Sequence, residues 1–412
     1  MAKDDQQPLT PKLRFPEFRD PWEVTEIGSY LVESRLPGSN GFAAKKITVK
    51  LWGKGVYEKI ESLKGSENTQ YYKRRAGQFI YSKLDFLNQA FGIIPPQLDE
   101  YESTVDLPCF DIADGLHPRF LLEYVQRPSF YEKHGEMADG GRKAKRIQVE
   151  SFLSFPIAVP VHAEQQKIAD FLTSLDELIL AQGRKVDSLK AHKKGLMQQL
   201  FPHEGKTVPR LRFPEFQDAP EWEATTIGDM FRLINGCAFK PEDWKPTGTP
   251  IIRIQNLNDR SAEFNYTQAP VPKQNRVESG DLLFAWSGTL GSSFGARIWT
   301  GPSGVLNQHI FKVLMDEKKI ILRFALLVLA RVEEDIAKRT HGFKASFVHV
   351  KKSDLVRVDL LLPSVAEQRQ IADCLCSLDA EIAAQTNKLA ALKTHKQGLM
   401  QQLFPSAEGT AM

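Results

Sequence analysis

Four positive charges fall within five residues at Arg142, Lys143, Lys145 and Arg146, directly after Gly140-Gly141. A flexible basic stretch of this kind suits phosphate contact, and its arginines suit bidentate pairing with a guanine edge. Composition alone also allows a solvated charge run with no partner. Two further basic patches in the same half of the chain, Lys45-Lys46 and Lys73-Arg74-Arg75, favour nucleic acid. In the other half, Arg253, Gln255 and Asn256 combine the side chains best matched to guanine and adenine edges. Lys344 and Ser346 follow a Thr340-His341-Gly342 turn, and Lys351-Lys352 add charge. Trp286, beside Ser287-Gly288, could stack on or flank a base; a core position is the ordinary alternative for a tryptophan.

Catalytic chemistry is not written in the chain. No G-x-x-x-x-G-K-[ST] phosphate loop occurs, and Gly53-Lys54-Gly55 lacks the remaining glycine of a dinucleotide loop. The double proline Pro95-Pro96 follows Ile94, not the Asp or Asn of an adenine-methylating loop. The histidines lack metal-ligand spacing: Cys109 and His117 have no partners, and His341 and His349 stand eight apart. Each histidine is expected to be an ordinary surface or core residue, and no metal is expected. Four scattered cysteines make no disulfide framework and fit a reduced cytoplasmic compartment. The first residues, MAKDDQQPLTPK, have no apolar run of a signal peptide, and Ile320–Ala330, broken by Arg323, is too short to span a membrane. A 412-residue chain with 42% hydrophobic and 25% charged residues is an ordinary globular protein, and its net charge of +3 permits a nucleic-acid partner without requiring one.

What must position these groups is a duplicated frame. Residues 163–202 and 366–405 align without a gap at 26 identities in 40, far too many for chance, so the segment has been copied. Leu13-Arg14-Phe15-Pro16-Glu17-Phe18 returns as Leu211-Arg212-Phe213-Pro214-Glu215-Phe216, and Trp22-Glu23 and Ile27-Gly28 return as Trp222-Glu223 and Ile227-Gly228. The residues between these phrases are not alike, which points to two related readers of two different things.

The copied 40-residue segments have a helical seam. In the first it runs through Ile168, Leu172, Leu175, Ile179, Gln182, Val186, Leu189, Lys193, Leu196 and Leu200. In the second it runs through Ile371, Leu375, Leu378, Ile382, Gln385, Leu389, Leu392, Lys396, Leu399 and Leu403. Eight of ten positions in each are apolar at a 3.5-residue period, as in a coiled coil. Gln and Lys interrupt both seams at the same places, where they can fix register. Pro160 and Pro363 precede the helices and Pro202 and Pro405 stop them. A helix of roughly 38 residues is about 57 Å long. Mutual antiparallel pairing is expected; the alternative is two amphipathic helices, each packed on its own domain. Between them, strand-like runs at Gln78–Tyr81, Val149–Val159, Pro250–Gln255, Asp281–Trp286 and His309–Leu314, with helices at Phe120–Val125 and Ile320–Ala337, give a mixed α/β fold with a pseudo-twofold internal repeat.

These phrases resemble the specificity (S) subunit of type I restriction-modification systems. The likeness rests on Glu-Gln-x-x-Ile-Ala-Asp-x-Leu-x-x-Leu-Asp at 164–176 and 367–379, on the L-K-x-H-K-x-G-L-M-Q-Q-L-F-P ends and on the L-R-F-P-E-F openings. It implies two target-recognition domains, each reading half of a split, asymmetric site in double-stranded DNA. The helices would act as ruler and as docking surface for two methyltransferase (M) subunits, with two restriction (R) subunits joining that core. S-adenosylmethionine would belong to the M subunit, ATP and Mg to the R subunit, and no cofactor or catalysis to this chain. The second domain, with Pro250–Ile254, Gly280–Phe284 and Asn307-Gln308-His309, looks like a common recognition-domain pattern. The first departs from it, so the two half-sites should differ. The expected divisions are an N-terminal segment (1–20), first recognition domain (21–160), first helix (161–202), linker (203–220), second domain (221–363), second helix (364–405) and tail (406–412). Two rival readings are a coiled-coil scaffold that ignores DNA and a stand-alone methyltransferase or nuclease.

Overall fold

A computed structural model describes residues 9–60, 65–136, 146–259, 261–340 and 347–405. Arg142, Lys143, Lys145, Lys344 and Ser346 lie outside the described residues. The chain divides into two compact units, Met1–Arg184 with Thr386–Met412, and Lys185–Gln385. Both boundaries fall inside the long helices, His162–Leu200 and Val365–Leu403, and not at their starts. Each unit thus takes the beginning of one long helix and the end of the other.

In the first unit a four-stranded antiparallel sheet has the order Leu31–Glu33, Cys109–Ile112, Phe79–Tyr81, Phe91–Ile93. Side chains alternate across a strand, and this sheet is covered on both faces: Phe79, Tyr81 and Phe110 enter one apolar cluster while Ile80 and Cys109 enter another. That is why Phe79-Ile80-Tyr81 is an unbroken apolar run. A three-stranded sheet (Pro37–Asn40, Gln70–Lys73, Glu102–Ser103) and the hairpin of Ile47–Lys50 with Gly55–Glu58 complete the β structure beside Glu23–Glu26 paired with Pro156–Val159.

The second unit repeats the frame. Glu223–Thr226 pairs with Asp359–Leu362, and a four-stranded antiparallel sheet has the order Phe231–Asn235, Ile310–Met315, Leu282–Ala285, Gly295–Ile298. Leu282 and Phe284 enter one cluster and Leu283 and Ala285 the other. Its additions differ: a second four-stranded sheet with a parallel pair, Ile251 opposite Val305, and a ribbon of Ser287–Thr289 with Phe347–His349. Two strand expectations are corrected. Val149–Leu153 is helical, placing Val149 and Phe152 on one buried face, and the strand begins only at Pro156. Pro250–Gln255 splits into a strand, Thr249–Ile252, and a short helix, Ile254–Asn258, because the Asn256 Oδ1 accepts from the Arg253 backbone N–H at 3.0 Å and caps the turn.

The copied phrases are explained by one copied anchor. Arg14 donates to both oxygens of Glu164 at 2.8 and 2.7 Å, and the Trp22 indole donates to the same carboxylate at 3.3 Å. Arg212, Glu367 and Trp222 repeat this at 2.8, 2.7 and 3.3 Å. Both glutamates are buried, and a bidentate fork with a third donor satisfies such a carboxylate. The adjacent glutamines, Gln165 and Gln368, each donate to two carbonyls and accept one backbone N–H, splicing the helix start to its own unit. The helix ends are equally alike. Phe404 packs on Trp22, Phe120 and Tyr124, and Arg127 lies over Phe404 and donates to the Pro405 carbonyl. Phe201 packs on Trp222 and Phe324, and Arg331 lies over it and donates to the Pro202 carbonyl.

All ten seam positions of each helix are buried or half-buried. The seam lysines find acids on the opposite helix within their own unit: Lys396 with Asp176 at 2.7 Å in the first, Lys193 with Asp379 at 2.6 Å in the second. At the helix ends the seam continues into the domains, with Ile168, Leu172 and Leu403 in the first unit's core and Leu200, Ile371 and Leu375 in the second's. These residues hold domain to helix as well as helix to helix.

Candidate nucleic-acid interface

The first unit sorts its basic residues by burial. Arg74 is 2% exposed and donates to Ser103 Oγ and to the carbonyls of Ser34 and Leu107, so it ties loops together and is not free to meet phosphate. Burial also draws its pKa below the ordinary guanidinium value. Lys46 is buried, its ammonium 5.4 Å from the Tyr71 ring centre. Both are corrections: cations read from sequence as surface contacts serve the fold. Lys73 and Arg75 share Glu100 at 2.9 and 3.7 Å, and Arg146 sits 3.7 Å from Asp106. Lys45 is exposed. The Gly53-Lys54-Gly55 turn joins Ile47–Lys50 to Gly55–Glu58, with both glycines at positive φ, and borders an open groove of about 780 Å³ that Tyr57, His117 and Arg119 also line.

In the second unit Asn256 is buried and fully used, donating to the Ala262 and Glu263 carbonyls while it caps the turn at Arg253. Arg253 donates to Asn265 Oδ1 at 2.8 Å and lies over Trp244. Lys352 donates to the Leu233 carbonyl at 2.7 Å. Asn256 is therefore corrected to a structural role, whereas Lys352, which makes that bond, is an exposed residue. Gln255 and Lys351 remain exposed.

Trp286 emerges in a setting that sequence spacing did not reveal. It stacks on Phe311 at 5.7 Å, and two imidazoles meet it edge-on: His309 at 5.1 Å and His349 at 4.7 Å between ring centres. Strand geometry gathers them. Trp286 separates Leu282–Ala285 from Ser287–Thr289, Asn307-Gln308-His309 links Gly304–Leu306 to Ile310–Met315, and His349 ends Phe347–His349. The backbone closes the group, since Trp286 N donates to the His309 carbonyl and Val350 N donates to the Trp286 carbonyl. His309 and His349 are 40 residues apart in sequence (349 minus 309), so no local motif could have signalled the cluster. The likeness of Asn307-Gln308-His309 to a common recognition-domain pattern is the signal that the sequence offers there.

No group of three or more His, Cys, Asp or Glu that could hold a metal occurs among the described residues, and none of their helices is long and apolar enough to cross a membrane.

Residues 220–394 match the model of the type I restriction modification DNA specificity domain. The type I restriction enzyme MjaVIII specificity subunit of Methanocaldococcus jannaschii is 22% identical over 95% of this chain and 93% of its own length. The EcoBI specificity subunit of Escherichia coli is 28% identical over 39% of this chain and 33% of its own. Among solved structures, a chain from work on complex assembly and conformational transition of the type I R-M system superposes with TM-score 0.60 at 18% identity, covering 94% of this chain and 98% of that one. The type I restriction-modification S subunit from M. genitalium gives 0.54 at 15% identity, covering 96% and 99%. The matched segment is similar to a DNA specificity domain. Over nearly its whole length the chain is similar to specificity subunits of type I restriction-modification systems and shares their fold.

Proposed function

We propose that this chain reads a bipartite, asymmetric site in double-stranded DNA, one half with each unit, and that its long helices set the gap between the halves. Two methyltransferase subunits dock on those helices and methylate adenine with S-adenosylmethionine; two restriction subunits join them and use ATP and Mg to cut unmodified DNA. The observation that carries this reading is a copied frame around uncopied contents. The Arg-Glu-Trp anchor recurs with the same three hydrogen bonds and both Phe-Pro helix ends pack on a tryptophan, whereas the second unit's four-stranded sheet with a parallel pair is not among the sheets of the first unit's described residues. A common mount with different heads is what two unlike half-sites require. Phosphate contacts supply salt-sensitive affinity and base contacts supply choice. Exposed Lys45, Arg75, Gln255 and Lys351 and half-buried Arg146, with Arg142, Lys143, Lys145, Lys344 and Ser346, are the contact candidates on this reading.

Mapping methylated adenines in cells with and without the gene tests it. The expected result is one split motif that disappears with the gene; an unchanged methylation map defeats the proposal.

A further inference from the structure

The Trp286 cluster carries polar atoms that no described residue engages. Trp286 Nε1, His309 Nδ1 and Asn307 Oδ1 are shielded from solvent and have no hydrogen-bond partner among the described residues. Buried polar groups are ordinarily paired, so Trp286 Nε1 and His309 Nδ1, on rings with centres 5.1 Å apart, and Asn307 Oδ1, two residues before His309, mark this edge as open to a further partner. At the same edge the surface opens: Gln308 and His349 are exposed, and Phe347 is 61% exposed. The Gln308 amide is held 3.3 Å from His309 Nε2, a contact that fixes its plane while leaving its carbonyl oxygen free to accept. An oriented carboxamide beside a fixed indole and imidazoles offers donors and acceptors together, the combination that matches an adenine edge in the major groove. The cluster's side chains are not copied, although its backbone frame is. In the first unit Lys83 N donates to the Asp106 carbonyl and Ile147 N donates to the Lys83 carbonyl, as Trp286 N does to His309 and Val350 N to Trp286, so a lysine stands where Trp286 stands here.

We infer that Trp286, Asn307, Gln308, His309 and His349 form the base-reading patch of the second unit, with Gln308 contacting a base edge directly and Trp286 and the imidazoles setting its position. The inference rests on the DNA-reading function proposed above and adds the residues that choose the second half-site.

The test uses the complex of this chain with its methyltransferase subunits, with methylated motifs mapped on genomic DNA. Gln308→Ala changes an exposed side chain. Trp286→Phe keeps a ring against Phe311 and removes the N–H. Both are expected to relax one or two positions of one half of the motif, leave the other half intact, and slow methylation of the original site about 10- to 100-fold. Thermal unfolding of each variant complex reports whether the unit is intact, and Gln308→Glu supplies a second surface variant that adds a repelling charge. An unchanged motif and rate in Gln308→Ala and Gln308→Glu overturns the patch, as does equal relaxation of both halves. A wild-type complex that yields no split motif instead overturns the underlying DNA-reading proposal, so the two failures are distinguishable.

Discussion

Glu367 lies buried against the Arg212 fork and the Trp222 indole, and Arg212 also donates to the Ala219 and Pro220 carbonyls. Arg212→Ala strands it, which should destabilise the second unit by about 3–5 kcal/mol. Replacing Arg212 and Glu367 together by apolar residues of similar volume should cost much less, because no unpaired charge remains. Urea unfolding of the two variants checks the difference. In the first unit His134 stacks on Phe155 at 4.2 Å, and burial, with Lys133 adding to it, pushes its pKa down to about 4 from 6.5. Between those values the unfolded chain binds a proton that the folded unit refuses. This part of the stability is therefore full above about 6.5 and falls as pH drops toward 4. His134→Phe should flatten that slope in thermal melts taken across the range; an identical slope would assign the acid sensitivity elsewhere.

The helix seams show how far sequence carries an element. The 3.5-residue period identified twenty seam positions, none of them exposed, because burial on a helix face follows directly from spacing. The two seam lysines were legible as irregularities, but their environments were not. Lys193 meets Asp379, which is half exposed, whereas Lys396 meets Asp176 and, at 3.5 Å, the fully buried Glu123. An exposed pair contributes under about 1 kcal/mol, so Lys193→Ala should have little effect. Lys396→Ala should cost roughly 1–3 kcal/mol more, since it removes a charged partner from a buried carboxylate whose other ion-pair partner among the described residues is Arg119. Denaturant midpoints of the two variants decide it. Site residues were less legible than seams because contact with DNA depends on where loops place a side chain. Arg74, Lys46 and Asn256 have the right chemistry and the wrong burial, and the imidazoles at Trp286 come from separate strands that no period links.

For the whole molecule, the duplicated phrases of the sequence recur in two compact units, and each unit holds the start of one long helix and the end of the other. On the proposed reading the helices set the gap between the half-sites, so every residue added between the two anchors should register in the spacing of the DNA site. Seven residues inserted after Gln182, with a matching seven after Gln385, preserve both seams and lengthen each helix by about 10 Å. At about 34–36 Å per turn of 10–10.5 base pairs, the gap should widen by about three base pairs. Mapping the adenines methylated by the assembled complex measures this directly. The account predicts both half-site sequences unchanged and the gap three base pairs longer; continued methylation at the original gap would contradict it.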